Sequence, residues 1–427
     1  MKRTYQLALR WLLLGGLAGG IISGLMSVKG AIANAPSDTA SLASQVTPLE
    51  SMPPLRSVMP TFHTDEPLGW DGQLWGEGLH PVQADGYPPL IQAGDRAQLL
   101  LAIQYSLRYL QTPEAIEDYA EYEAMNISRD RVQRSLERFQ ELLLTARSAQ
   151  ELQRAVLAEF EFYQSIGNDG LGTVEFTGYF EPIYAASRTP TAEYRYPLYR
   201  RPSDLDGWPM PHPTRADLEG VDGLGGASGR LDGLELVWLR DRLEAFLVQV
   251  QGSARLQLTD GSIMTVGYAG RTEYEYTSLG RELVNDGKFS LDELTLPMVL
   301  DYFRTYPDEL DRYLPRNNRF VFFRETGGSA PTGSLRVPVT ADRSIATDKS
   351  LMPPGALALI QTQLPYVSSD GSIQQYPVNR YVLDQDTGGA IQGAGRVDVF
   401  LGTGITAGDR AGLVNTPGQL YYLLLRD

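Results

Sequence analysis

The sequence predicts a mainly β protein with a helical N-terminal part, divided into more than one domain. Three features predict it. The chain has 427 residues, 42% of them hydrophobic and 21% charged, enough for two or three separate cores. Apolar residues at helical spacing occupy the stretch from Gly94 to about Ile166. Near Leu171 the texture changes to short runs with aromatic alternation, separated by glycine, proline and aspartate turns.

At the N-terminus, Lys2, Arg3 and Arg10 precede the apolar run Trp11 to Val28, and Ala33-Asn34-Ala35 follows as a cleavage site. Residues 1–35 read as a signal peptide or, since the run is close to the length of a spanning helix, an uncleaved anchor. Both place the body in the periplasm or cell envelope. Residues 36–67, rich in Ser, Pro, Thr and Ala, read as a disordered linker. Leu68 to Pro88 reads as irregular.

Asp95 with Gln98, and Ser148 with Glu151, are capping patterns ahead of apolar helical runs. Strands are expected at Val174–Tyr184, Arg195–Pro202, Leu234–Leu239, Phe246–Leu258 and Ser262–Gly270, with a hairpin turn at Asp260–Gly261. Two short helices follow, Ser278–Asn285 and one capped by Ser290 with Glu293. RFVFFRE (319–325) closes this block. After a Gly/Ser/Pro linker, Thr326–Ser334, the strands LRVPVT (335–340), Val382–Leu383, Val397–Phe400 and LYYLLLRD (420–427) are expected.

Composition narrows the chemistry. There is no cysteine, which excludes disulfides, thiol catalysis, cysteine zinc sites and a lipid-modified N-terminal cysteine. Three scattered histidines, His63, His80 and His212, argue against a histidine metal site or a serine–histidine triad. Removing residues 1–35 takes Lys2, Arg3, Arg10 and Lys29 and no acid, so the net charge falls from −15 to −19. Such a charge argues against nucleic acid or anionic lipid as partner. It also fits poorly with a carboxylate-bearing polymer such as peptidoglycan.

The stretch from Tyr381 to Gly408 sets Asp386 and Asp398 on apolar runs among Gly388, Gly389, Gly393 and Gly395. Asp348 lies in a similar setting upstream. A carboxylate at the end of a buried strand, beside glycines that let a ligand approach the backbone, suits a proton donor with a raised pKa. From the pattern alone, turns in which aspartates cap their own backbone account for the segment as well.

DTGGAIQGAGRVD (386–398), preceded by IATDKSLMPPG (345–355), resembles the three-aspartate segment of the MltA-type membrane-bound lytic murein transglycosylases. EFTGYFEPIY (175–184), FLVQVQGSARLQL (246–258), VGYAGRTEYEYTSLGREL (266–283) and NNRFVFFRE (317–325) resemble further segments of that family, in its order, so the likeness covers about Leu68 to Asp427. It implies a double-psi β-barrel domain interrupted by an inserted second β-barrel domain. Residues 68–173 and 325–427 would form the first domain and 174–324 the insert, with the glycan in a groove between them.

The activity the resemblance implies is cleavage of the β-1,4 bond between N-acetylmuramic acid and N-acetylglucosamine, leaving 1,6-anhydromuramic ends. Ordinary glycosidases use two carboxylates. Here the substrate's C6 hydroxyl is the nucleophile, so one acid suffices. On the family's motif that acid falls on Asp386, with Asp384 as a rival from spacing alone. Asp398 and Asp348 match the supporting aspartates, or else brace loops.

Thr177, Gly178 and Tyr179, Gln251, Gly252 and Ser253, and Gly388 and Gly389 match positions expected to bind substrate, with ordinary hairpin chemistry as the alternative for the first two groups. Tyr268, Tyr274 and Tyr276 are candidates to stack on sugars, or are half-buried core. No metal or cofactor is expected. The expected partner is the peptidoglycan glycan strand, met by a monomer that touches the membrane only through its N-terminus. Two departures stand out: Ala254 replaces a usual glycine, with a tighter turn or narrower groove expected, and the lipid-bearing cysteine is missing. A two-carboxylate hydrolase and a non-catalytic wall-binding module are the alternatives.

Overall fold

The computed structural model describes residues 53–58, 81–82, 90–91, 95–120, 122, 127–290, 294, 296–368 and 370–426. The signal segment, most of the linker, most of 68–94 and Glu293 lie outside them.

The chain begins with strand β1 (Leu55–Val58) and a two-residue antiparallel pair, β2 (Pro81–Val82) with β3 (Leu90–Ile91). Four helices follow: α1 (Asp95–Leu110), α2 (Pro113–Ala120), α3 (Arg129–Thr145) and α4 (Ala149–Glu159). Ser148 caps α4 by accepting the Glu151 N–H, while the Glu151 carboxylate accepts the Arg147 N–H. These helices cover the first sheet with Leu99, Ile103, Leu136, Phe139 and Leu143, all fully buried. Phe139 packs on Tyr381 at 4.7 Å between ring centres. Their task is scaffold.

The first sheet comprises β1, β4 (Phe160–Ser165), β5 (Val174–Glu181), β12 (Ser344–Ala346), β13 (Leu357–Val367), β14 (Ile373–Asp386), β15 (Arg396–Thr403) and β16 (Asn415–Leu425). Six of these close on themselves in the order β5–β16–β13–β14–β12–β15 and back to β5. The pairs β12–β14 and β15–β5 are parallel and the rest antiparallel. Closure removes free edges, and the buried strands read as continuous apolar runs such as Leu420–Leu424. Helix α10 (Ile405–Ala411) packs against β5 and β15.

Between β5 and β12 lie β6 (Ile183–Ser187), β7 (Tyr196–Tyr199), α5 (Arg215–Glu219), β8 (Glu235–Leu239), α6 (Arg242–Gln251), β9 (Ser253–Leu258), β10 (Ile263–Arg271), α7 (Leu279–Asn285), α8 (Leu296–Thr305), α9 (Leu310–Tyr313) and β11 (Val321–Glu325). The six strands form a second sheet, ordered β11–β10–β9–β6–β8–β7, whose outer strands approach at one bridge, Arg200 with Phe323. The helix expected at Ser278–Asn285 is α7, capped by Ser278, and Gly261 turns the β9–β10 hairpin at φ +83°.

Four expectations need correcting. Leu55–Val58, inside the expected disordered linker, pairs antiparallel with β4 and buries Leu55 against the core. A four-residue edge strand between prolines is too short to show a period. The strand β5, expected to open the insert, belongs to the barrel; the chain crosses over at Pro182, which has no N–H to continue the ladder.

Phe246–Gln251, expected as strand, is the end of α6. Asp241 caps it by accepting the Leu243 N–H, and Gly252 ends it at φ +76°. This helix is buried on two sides, Ala245 and Val248 in one core and Leu243 and Phe246 in another, so no helical period shows. LRVPVT is a sequence of turns with Arg336 at φ +58°, although Val337 and Val339 are buried as alternation implied. Among the described residues no helix is long and apolar enough to cross a membrane.

Candidate active site

Between the barrel and the second sheet runs a cleft of about 620 Å³. Asp348, Asp386 and Asp398 all line it, as do Gln251, Gly252, Ser253, Gly388, Gly389 and Tyr179. The chain brings them from five separate stretches, since β5, β14, β15 and the loops after α6 and β12 all end there.

Asp386 is the last residue of β14. A bulge precedes it: Ile345 of β12 opposes Asp384, and Ala346 opposes Asp386, so Gln385 has no partner. The bulge breaks the two-residue alternation that would put both aspartates on one face. Asp384 turns into the protein and is fully buried. It accepts the hydroxyls of Tyr422 (2.6 Å) and Thr347 (2.7 Å) and forms an ion pair with Lys349. Gln385, also fully buried, donates to the Ala102 carbonyl and Ser106 of α1.

Asp386 is half-buried on the cleft wall. Its Oδ1 accepts the Ser334 and Thr387 N–H groups, both at 2.8 Å, and its Oδ2 accepts the Tyr179 hydroxyl at 2.9 Å. Loss of solvation pushes its pKa up; the hydrogen bonds from Ser334, Tyr179 and Thr387 and the charge of Lys349 pull against that rise. A carboxyl so placed is a proton donor already aimed by three partners.

Asp398, on β15, is buried beside it. Its carboxyl accepts the Thr177 hydroxyl at 3.0 Å, and burial raises its pKa to about 7 against the opposing charge of Arg396. The negative charge of Asp386 adds to the rise. Asp348 ties two loops together: one oxygen accepts the Ser350 N–H and hydroxyl, the other the Gly393 N–H at 2.8 Å. Its loop-bracing role is thus visible, at the cleft wall.

The expected substrate-binding positions divide. Tyr179 lines the cleft and holds Asp386. Thr177 stands behind the wall, buried against Asp398. Gly178 does not face the cleft: a Cβ there would lie 2.9 Å from the Ala411 Cα, so the glycine allows α10 to pack on β5. Gln251 at the end of α6 accepts the Phe180 N–H at 3.2 Å, joining insert to barrel. Gly252 is the helix cap, and Ser253 starts β9. Of the tyrosines, Tyr268 is exposed and Tyr276 partly buried in the cleft, whereas the Tyr274 hydroxyl bonds the His212 carbonyl. Ala254 is fully buried in the second core, so its substitution for glycine does not narrow the cleft.

Three contributors were not singled out in the sequence. The Ser334 N–H comes from a linker 52 residues before Asp386. Arg271 and Arg319 line the opposite wall, in segments that carried the family resemblance without either arginine being singled out. Arg319 packs against Gly389, where a Cβ would lie 1.5 Å from the arginine Nη1, so the second glycine of the pair makes room for a guanidinium. Gln392 bridges the walls by donating to Glu275 at 3.2 Å.

The chain matches the family model of the MltA specific insert domain over residues 175–324 and that of the 3D domain over 343–424. It is 30% identical over 263 residues to membrane-bound lytic murein transglycosylase A of Escherichia coli, covering 61% of this chain and 68% of that protein. The Vibrio cholerae protein of the same name is 30% identical over 279 residues, covering 64% and 72%. Among solved structures, a membrane-bound lytic murein transglycosylase from Agrobacterium tumefaciens superposes with a TM-score of 0.63 at 28% identity, covering 78% of this chain and 93% of that one. Escherichia coli MltA with bound chitohexaose superposes at 0.61 and 25% identity, covering 83% and 97%.

Proposed function

We propose, from the premise that this chain belongs to the membrane-bound lytic murein transglycosylase A family and is a peptidoglycan lytic transglycosylase, that Asp386 alone carries the proton transfers of the reaction. The bond broken joins C1 of an N-acetylmuramic acid to O4 of the next N-acetylglucosamine. Protonated Asp386 gives its proton to that leaving oxygen. The muramic acid C6 hydroxyl attacks C1 and forms the C1–O6 bond of a 1,6-anhydro ring. The hydroxyl proton passes to the Asp386 carboxylate, which restores the acid without consuming water.

The observation that carries this reading is the setting of Asp386: half-buried on the cleft wall, its pKa raised by desolvation, and fixed by Tyr179, Ser334 and Thr387. Asp398 and Asp348 take supporting parts, the first through its charge and the second by holding the loop at Gly393. Occupation of the cleft by a glycan is supported by the chitohexaose complex of the Escherichia coli protein.

The parallel pairs β12–β14 and β5–β15 support reading the barrel's crossings as double-psi, and the Arg200–Phe323 bridge supports reading the second sheet as a barrel. With β5 assigned to the barrel, the inserted unit runs from Pro182 to Glu325. We also propose that residues 1–35 serve as signal peptide or anchor for export to the envelope, and that the enzyme acts there as a monomer.

Digestion of purified sacculi in oxygen-18 water tests the mechanism. Mass spectrometry is expected to find 1,6-anhydromuramic ends without the heavy isotope. Reducing ends carrying one oxygen-18 would show hydrolysis instead, with Asp398 as second carboxylate. Binding to sacculi without release of fragments would show a wall-binding module.

A further inference from the structure

The mechanism above leaves Arg319 without a task. The residue is 9% exposed, and its Nε donates to the Tyr274 carbonyl at 2.7 Å. Among the described residues no carboxylate forms an ion pair with it. Its Nη1 abuts the backbone of Gly389, three residues after Asp386, and its end faces the cleft. The cation Arg271 lines the same wall; its only carboxylate within ion-pair range among the described residues is Glu273, at 3.9 Å and largely exposed. Glu275, also on this wall, is held by Gln392.

A buried guanidinium with spare donors, next to a second cation, is costly until an anion completes it. Its planar fork matches a carboxylate with two parallel hydrogen bonds. The protein around it has a net charge of −15, so this anion-attracting patch is local to the cleft.

We propose that Arg319, with Arg271 beside it, forms a carboxylate subsite that receives the acidic substituent of the muramic acid nearest the scissile bond. This deepens the reading above and rests on its substrate. The glycan backbone is otherwise neutral, and its carboxylates sit on the 3-O-lactyl group: on the lactyl carbon itself where the stem peptide has been removed, or along the peptide where it remains. The proximity of Arg319 to Gly389 sets such a substituent beside the Asp386 loop. Arg319 would thereby distinguish a muramic acid from an N-acetylglucosamine at this position.

The test uses the whole exported chain carrying Asp386→Asn, so that ligands survive titration. Calorimetry compares four hexasaccharides: chitohexaose, a peptide-free alternating oligomer with free lactyl carboxylates, the same oligomer with each lactyl carboxyl converted to its N-methylamide, and the peptide-bearing oligomer. The free carboxylate form or the peptide-bearing form is expected to bind about 10-fold more tightly than the N-methylamide. Adding Arg319→Gln is expected to reduce that ratio to about twofold or less, and adding Arg319→Lys to keep part of it. Gly389→Ala, which displaces the guanidinium without removing its charge, should reduce it too.

An advantage confined to the free lactyl form assigns the anion to the lactyl carboxylate; one confined to the peptide-bearing form assigns it to the peptide. A ratio near one in the parent, a ratio untouched by Arg319→Gln, or an equal loss for chitohexaose and the charged forms would overturn the subsite. These readouts need no turnover. A failure of the Asp386 mechanism therefore shows separately, in the digestion products.

Discussion

The two walls of the cleft are built differently and carry different charge. The barrel wall presents Asp348, Asp386 and Asp398, with Arg396 tempering the last. Asp386 ends β14, a strand with neighbours on both sides, β13 and β12. The insert wall presents Arg271, Arg319 and Arg324, and its strand β11 is the edge of the second sheet. The acid proposed to move protons ends a strand paired on both sides, whereas Arg319 stands in the loop before β11 and Arg271 at the end of β10. That is the division expected where chemistry needs positions held to fractions of an ångström and recognition tolerates more play.

The sharpest way to break this comparison is to remove, one at a time, the two carboxylates at the end of β14. Asp386→Asn is expected to lower the rate of anhydromuropeptide release about 10³-fold while the protein unfolds much as the parent does. Asp384→Ala, two residues away, should do the reverse. It leaves the partly buried Lys349 without its carboxylate and the buried Tyr422 and Thr347 hydroxyls without their acceptor, and about 3–5 kcal/mol of stability is lost in denaturant titration. If Asp384→Ala removed activity without loss of stability, the assignment of the two aspartates would be inverted.

Tyr179→Phe is the next smaller change. It removes one of the three hydrogen bonds that hold Asp386 and lower its pKa. The rate is expected to fall about 10-fold. The alkaline limb of the pH–rate profile should move to higher pH, because an acid that has lost a donor to its anion keeps its proton longer. A limb that stays in place would make Tyr179 a substrate contact only.

Asp398→Asn is expected to move that limb less than Tyr179→Phe does, because the charge of Asp386 raises the pKa of Asp398 rather than the reverse. It also has a stability signature. The folded pKa of Asp398 is about 7 and its ordinary value 3.8, so the stability this group permits is full below about 3.8 and lost as pH rises through about 7. The amide has no charge to bury. It should gain on the parent between pH 4 and pH 8, by at most about 4 kcal/mol. Equal stability differences at both pH values would remove Asp398 from the buried acids.

Much of this was legible in the chain. The change of texture near Leu171 marks where helices give way to strands, because both periods are written in side chains that each face a single core. The cap at Ser148 is a local hydrogen bond and needs no tertiary context. The three-aspartate segment and the insert motifs named the family. Where the reading failed, burial was two-sided: α6 lies between two cores and so shows neither period. The crossover at Pro182 failed for another reason, since sheet membership is a property of pairing partners far away in sequence.

What the sequence by itself determined was the inventory: a mainly β chain without thiols, aspartates set among glycines, and segments in the order of one family. Tertiary structure set the two neighbouring aspartates apart. One unpaired residue, Gln385, rotates Asp384 into the interior to meet Lys349 and leaves Asp386 on the cleft, where Tyr179 and Ser334 reach it from strands and loops far along the chain. A bulge exists only between paired strands, and desolvation depends on everything packed around a carboxyl, so neither is written in the residues beside it.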